Sequence, residues 1–421
     1  MTSTAACGPA PAGQPSASWR RNQFAVTAAS FVGFTGFTLV MPFLPLYIGE
    51  LGVTEVGEVA MWTGLCLGIS PAVTALLSPL WGRVADRFGR KLLVERSLIS
   101  FVVIMSATAY ATRPWHVFAL RTLQGLFAGY GGLTLAMAAE SAPRDRMASA
   151  IGMVQTAQRL GPALGPVIGG VIAGIVGLRR AFFVTAALYG VAFLVVLFFY
   201  HEGARHPRTG RRAAAAPMFR GVLRLENFCL LMGVLFGLQY ADRSLGPVLP
   251  LHVAALGVSA RRVALVSGIL FSLVAGAGAL GHHLCGRFIR RVSARRLVVA
   301  GTALAAVGSV GFVGFSNLAW LALSLALFGV GIGAGMTAAY TAAGLVVPEG
   351  SHGTAFGLLS GASLTALAVT PIFTGFLAIA SIRAVFALDV VALGVLALVV
   401  RRWMSSGTPA QDCANASPDP A

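Results

Sequence analysis

Twelve apolar runs, each of roughly 20 residues or more, follow one another along the 421 residues with mostly short polar turns between them. A run of that length is what a helix needs to cross about 30 Å of hydrocarbon. Hydrocarbon offers an unpaired backbone group no partner, so such runs must fold as helices. They lie near residues 23–48, 58–80, 93–112, 116–138, 148–176 and 181–200, and again near 227–253, 263–284, 297–315, 318–345, 354–379 and 382–401. Only 11% of the residues are charged, whereas a soluble domain carries about 25%, and the mean hydropathy is +0.80. The expected fold is an all-α integral membrane protein of twelve transmembrane helices in two six-helix halves.

A net charge of +17 would suit a nucleic-acid binder, but the basic residues sit in clusters between apolar runs and no long soluble domain carries them. Membrane topology explains them better, because cytoplasmic turns concentrate Lys and Arg. With the N-terminus inside, only Arg113, Arg179, Arg180, Arg261, Arg262 and Arg383 fall outside, and Arg121, Arg159 and Arg243 fall within spans; the rest of the 31 are cytoplasmic. The expected divisions are a cytoplasmic tail (1–22), a first six-helix half (23–200), a basic cytoplasmic linker (201–226), a second half (227–403) and a cytoplasmic tail (404–421). Residues 1–18 have no apolar core, so they read as a tail and not as a signal peptide. Cys7, Cys66, Cys229, Cys285 and Cys413 show neither pairing nor C-x-x-C spacing, so no disulfide framework, metal or cofactor is expected.

The two halves echo each other. Met41 to Val53 matches Gly246 to Val258 at seven of thirteen positions, and Gly82-Arg83, Arg87 and Lys91 recur as Gly286-Arg287, Arg291 and Arg295. Parallel repeats of this kind place a substrate site between the halves, near the midplane. The echo departs at one carboxylate: Asp86 becomes Arg290.

That carboxylate belongs to Ser78–Val94, a charged stretch read as a cytoplasmic loop between spans two and three. Gly82-Arg83-Val84-Ala85-Asp86-Arg87-Phe88-Gly89-Arg90-Lys91 resembles the G-x-L-A-D-R-x-G-R-K signature of the major facilitator superfamily. The resemblance implies a latch, with Gly82, Asp86, Arg87, Gly89, Arg90 and Lys91 as its residues and Asp86 facing the positive end of a helix in the other half. Span five carries Gly161, Pro162, Gly165, Pro166, Gly169 and Gly170, similar to the G-x-x-x-G-P-x-x-G-G motif of drug:proton antiporters. There, small residues and a bend are taken to form the contact between halves. Span four carries Arg121, Gln124, Gly125 and Gly129, similar to the R-x-x-Q-G motif of proton-coupled exporters. An arginine inside a span marks a functional site, although one five residues from the outer boundary can also reach the surface. With Met41–Val53 and Trp81–Lys91, the chain looks most like the MdtG-type multidrug efflux branch from about residue 20 to 403.

The resemblance implies export of small molecules by alternating access, and the residues narrow the energy source. The single lysine, Lys91, is not in a phosphate-binding G-x-x-x-x-G-K-[ST] loop. Proton coupling needs a titratable group reached from each side in turn. Asp242, deep in span seven, is the leading candidate, with Arg121 modulating it and Asp389 second; Glu140 and Glu226 read as structural. Phe34, Met41, Gln155, Gln158, Arg159, Gln239, Tyr240, Met336 and Tyr340 are the candidate cavity wall, with ordinary helix packing an equal reading for each. Arg159 suits anionic or amphipathic cargo, and can alternatively pair with Asp242. The expected partners are a small-molecule substrate, protons and lipid, with no nucleic acid; the chain is expected to act as a monomer in the cytoplasmic membrane. A dedicated metabolite exporter and a non-transporting sensor remain as alternatives. An enzyme is disfavoured by the lack of H-E-x-x-H or G-x-S-x-G patterns.

Overall fold

The computed structural model describes residues 17–143, 146–201, 219–289, 291–314, 317–347 and 352–404. Residues 1–16 of the first tail, 202–218 of the linker, Arg290 and the tail beyond Met404 lie outside the described residues. The regular elements among the described residues are all helices: α1 Ala17–Leu39, α2 Leu44–Glu50, α3 Val56–Phe88, α4 Arg90–Ala109, α5 Pro114–Phe127, α6 Tyr130–Ser141, α7 Met147–Val176 and α8 Leu178–Phe199. The short α9 Phe219–Leu223 leads to α10 Phe228–Ala255, α11 Ala260–Phe288, α12 Ala294–Gly314, α13 Leu318–Val346, α14 His352–Ala380 and α15 Ile382–Trp403.

Among the described residues nine helices are long and apolar enough to cross a membrane, and α1 with α2, bent by 49°, makes a tenth. The two remaining expected spans are occupied by α10, which carries Asp242 and Arg243, and by α5 followed closely by α6. The first break has a local cause. Pro42 lacks an N–H and Pro45 sits in the first turn of α2, where its missing donor costs nothing.

The charged stretch read as a loop is instead mostly helix. α3 continues to Phe88 and α4 begins at Arg90, leaving Gly89 alone between them at φ 100°. Nothing from Leu80 to Phe88 stops a helix, since a single glycine costs only about 1 kcal/mol and Arg87 complements the dipole in the last turn. The signature therefore rides on a rigid helix end and a one-residue corner that glycine accommodates.

Two hydrophobic cores form. One is built from residues between Ala25 and Tyr200 with Ala264, the other from residues between Val222 and Met404 with Ala60. Within the first, α7 packs on α1 through glycine. A methyl group added at Gly161 would lie 2.8 Å from the Thr35 nitrogen, and one at Gly169 would lie 1.8 Å from the Leu39 oxygen. Gly165 meets the Thr35 oxygen and the Thr38 hydroxyl in the same way.

Between the cores, backbone meets backbone at two seams. In the first, a methyl at Gly64 of α3 would lie 2.0 Å from the Pro371 oxygen of α14, and Gly57, Gly68 and Gly375 are similarly close across it. In the second, Gly170 of α7 faces the Ala264 oxygen of α11, Gly268 faces the Pro166 oxygen, and the Val167 N–H donates to Ser272 Oγ at 3.2 Å. The span-five motif is thus divided: Gly170 and Pro166 reach the other half, whereas Gly161, Gly165 and Gly169 bind α1 of their own half. Both seams lie toward the end where α3 starts. Toward the α3–α4 corner, Gly357 and Gly361 of α14 have no neighbour within 4 Å of an added methyl.

Gly169→Ala should lower stability by about 1–3 kcal/mol, the usual cost of overpacking. Gly233→Ala, where a methyl meets nothing within 4 Å, should be neutral or slightly stabilising. Thermal unfolding of the two variants in the same detergent checks the difference, and equal melting temperatures would show that the α1–α7 contact is looser than described.

Candidate functional site

The span-four motif surrounds a break. α5 ends at Phe127, Gly129 turns left-handed at φ 109°, and α6 begins at Tyr130. A helix end in hydrocarbon leaves carbonyls without partners, and side chains from α3 and α4 supply them. Thr74 Oγ1 donates to the Gly125 oxygen at 3.2 Å and Trp81 Nε1 to the Leu126 oxygen at 2.8 Å. The Phe127 oxygen accepts from Ser97 Oγ at 2.7 Å and Arg96 Nη2 at 3.0 Å. The Arg96 guanidinium also stacks 3.7 Å from the Trp81 ring centroid.

About two turns before the break, Arg121 is 3% exposed. That burial excludes its reaching the membrane surface. Its Nη1 donates to Gln124 Oε1 at 2.8 Å, and its backbone oxygen accepts from Ser70 Oγ at 2.5 Å. Nε and Nη2 have no hydrogen-bond partner among the described residues, and the groups within electrostatic reach are Cys66 and Tyr189. Gly125 lets α5 approach the Ser70 oxygen of α3, where a methyl would lie at 2.6 Å. The motif therefore places a guanidinium inside the first half without a carboxylate beside it.

In the signature segment, Arg90 forms an ion pair with Glu140 of α6 and donates to the Ala136 oxygen at 3.4 Å. Lys91 donates to the Leu197 oxygen of α8 at 3.0 Å and lies 3.6 Å from Glu95. These contacts clamp α4 onto α6 and α8 of its own half. Arg87 lies beside the Phe88 ring. The side chains of Gly82, Arg83 and Asp86 lie outside the described residues, and with them the expected contact to the other half.

The candidate cavity residues separate into groups. Gln158 is already engaged, donating to the Gly131 oxygen at 3.0 Å and to Thr134 at 3.2 Å of α6. Phe34 packs 5.8 Å from the Tyr130 ring, and Met41 reaches the α10 backbone at Gly246. Tyr240 lies 6.2 Å from the Phe373 ring of α14, with its hydroxyl buried, and Gln239 is half-buried beside it. Gln155 and Arg159 of α7 are exposed. Tyr340 Oη lies 3.3 Å from Ser363 Oγ of α14.

Asp242 pairs with its own neighbour, 3.3 Å from Arg243 Nε, both side chains about one quarter exposed at 26% and 27%. Among the described residues it forms no ion pair with Arg159. Adjacent residues point to different faces of a helix, yet the long arginine side chain bends back across that angle. Asp389 is fully buried, its Oδ2 accepting from Ser244 Oγ of α10 at 2.5 Å. It ties α15 to α10 away from the exposed face.

Two residues were missed by sequence reasoning. His282 of α11 and Thr337 of α13 are 2.6 Å apart, and His282 lies within electrostatic reach of both Arg159 and Asp242. The only signal was a histidine pair inside an otherwise apolar run. Among the described residues no cluster of His, Cys, Asp and Glu could hold a metal, and Cys66, Cys229 and Cys285 are free thiols.

The sequence model of the Major Facilitator Superfamily matches residues 26–358 and 231–419. The multi-drug resistance efflux pump PmrA homolog of Lactococcus lactis is 31% identical over 283 residues, 67% of this chain and 70% of its own length. The multidrug resistance protein MdtG of Salmonella dublin is 32% identical over 328 residues, 77% of this chain and 80% of its own. A crystal structure of a bacterial homolog of the human lysosomal transporter Spinster, inward-facing and unoccupied, superposes with a TM-score of 0.76 at 18% identity, covering 92% of this chain and 98% of that one. The nucleoside transporter NupG gives 0.68 at 12% identity, covering 90% and 100%. At these identities the two structures establish the shared fold.

Trp81→Phe keeps the ring over Arg96 but removes the donor to the Leu126 carbonyl. Leaving an acceptor unpaired where lipid offers no substitute donor costs about 1–3 kcal/mol. The expected result is a folded protein with a melting temperature lowered accordingly, and an unchanged one would show that another donor caps α5.

Proposed function

The chain belongs to the Major Facilitator Superfamily, and on that basis we propose that it is a secondary active transporter exporting small amphipathic, drug-like molecules by alternating access, driven by inward proton flow. The family and these relatives are membrane transporters, and no catalytic chemistry is assigned to the chain. The observation that carries the reading is the placement of charge between the halves. Arg159 comes from the first half, Asp242 and His282 come from the second, and His282 lies within electrostatic reach of both Arg159 and Asp242. Such groups are costly in a membrane unless they serve a pathway.

The seams supply the movement. Each half carries its own core, and among the described residues the glycine seams that join them lie near one end, so each half can tilt as a body about those contacts. The proposed open end is the one carrying the α3–α4 corner, where Gly357 and Gly361 meet no neighbour among the described residues, and the positive-inside rule puts that corner in the cytoplasm. The proposed setting is the cytoplasmic membrane, with both termini inside and the chain acting as a monomer. Asp86 is proposed as the latch that closes this end.

Aromatic and apolar residues at Phe34, Met41, Tyr240 and Tyr340 favour amphipathic cargo, and the names of the relatives support multidrug breadth. Substrate-stimulated proton movement in liposomes, measured over a chemically diverse panel, tests the proposal. Responses to many compounds support multidrug export, a response to one supports a dedicated exporter, and none would reject proton-coupled transport.

Asp242 is proposed as the proton carrier because it is accessible, whereas Asp389 is sealed between α10 and α15. Asp242→Asn mimics the protonated form. The variant should bind cargo with wild-type affinity and exchange it down a gradient, while accumulation driven by an imposed pH difference falls at least about tenfold, a change of about 1.4 kcal/mol in driving balance. Full pH-driven accumulation by this variant would remove Asp242 from the mechanism.

A further inference from the structure

The sequence reading assigned no role to histidine, yet one histidine stands where the two halves face each other. His282 Nδ1 is held 2.6 Å from Thr337 Oγ1, so α13 fixes its orientation. The charged and titratable groups facing it from the neighbouring helices are few. α7 presents Arg159, α10 presents Asp242 with Arg243 beside it, and α13 presents no carboxylate or cation. His283, the next residue, is exposed and points to another face of α11.

We propose that His282 is a proton-binding residue of the transport cycle, whose imidazolium repels Arg159 of the opposing half and attracts Asp242 of its own. The inference rests on the transport reading above and adds a second titratable site to it. Arg159 and His282 are on different bodies, α7 and α11. These helices are joined near one end through Gly170 and Gly268, and Arg159 and His282 lie beyond that joint, toward the α3–α4 corner. Like charges facing across a cleft drive its walls apart, whereas a neutral imidazole lets them approach. Protonation therefore favours the open cleft, and loss of the proton favours closure around cargo. Asp242 offsets part of the new charge without crossing the cleft, because it shares the second half with His282.

Histidine is the side chain whose ordinary titration falls between about pH 5 and 8, so the charge changes over the range in which a proton gradient works. The Thr337 hydroxyl can donate to the neutral ring or accept from the imidazolium. The hydrogen bond thus survives both states, and the ring need not move when it titrates. The electrostatic relation to Arg159 is what changes.

The test uses the full chain in liposomes or nanodiscs with spin labels at Leu76→Cys on α3 and Leu345→Cys on α13, both exposed positions on opposite halves. Cys7, Cys229 and Cys413 are replaced by serine. In the otherwise native protein, the distance distribution should shift toward the separated state as pH falls from about 8 to 5. His282→Gln, which keeps a hydrogen-bonding group for Thr337, should flatten that pH dependence, and His282→Arg should hold the separated state at every pH. A His282→Gln protein that follows the native pH profile, or a native protein with no pH-dependent shift, would overturn the proposal. So would loss of the shift in Asp242→Asn with retention in His282→Gln, since the carboxylate would then be the sensor. Drug-driven proton movement is measured in parallel on the same samples. Its absence in the native protein would count against export, while the label distances would still decide the role of His282.

Discussion

Hydrocarbon gives an unpaired backbone group nothing to bond with, and much of this structure answers that constraint. Where a span is continuous, the helix satisfies itself. Where span four breaks, four side chains from two neighbouring helices converge on three consecutive carbonyls. Thr74, Trp81, Arg96 and Ser97 therefore have a shared purpose that their scattered positions conceal. The break in turn frees α6 from the line of α5, and α6 is the helix that Gln158 and Arg90 grip. A fault in one backbone is thereby converted into a point where helices of the first half are tied together.

The same constraint governs the seams. Two apolar surfaces in lipid gain little from hiding from water, so they must gain from fit. The glycines of α3, α7, α11 and α14 let one backbone lie directly on another, where dispersion and weak Cα–H···O contacts accumulate. The first half adds a third such surface between α1 and α7. One motif consequently serves two purposes on one helix, with three glycines building a half and the last joining the halves.

Much of the fold was legible because it depends on run length. Apolar runs of about 20 residues are long enough to be spans, whereas the bend near Met41–Pro45 lies inside the run read as the single span 23–48, although the missing donors of its prolines were a signal for it. The charged stretch around Asp86 misled because charge was read as loop; lysine and arginine are good helix formers, and only Gly89 had to turn. The break at Gly129 was invisible, since glycines also occur in intact helices and the donors that compensate it lie about 30 to 50 residues away. The site was partly legible for the same reason. Arg121 and Asp242 stand out as charges in apolar runs, but Gln158 bonding to α6 and His282 lying within electrostatic reach of Arg159 are relations between helices, which spacing along one helix does not express, and the turn of Arg243 back to Asp242 is a side-chain choice that helix periodicity does not give.

The glycine seams also determine what it costs to part and rejoin them. A contact between longer side chains must freeze several rotamers each time it forms, at up to about 1.5–2 kcal/mol for each flexible side chain. Glycine and alanine have no rotamers to freeze. The joint between α3 and α14 and that between α7 and α11 can therefore be loosened and remade with almost no ordering entropy at stake. Such a surface is suited to being broken many times, and its specificity resides in shape, with the hydrogen bond from Val167 to Ser272 added at the second joint.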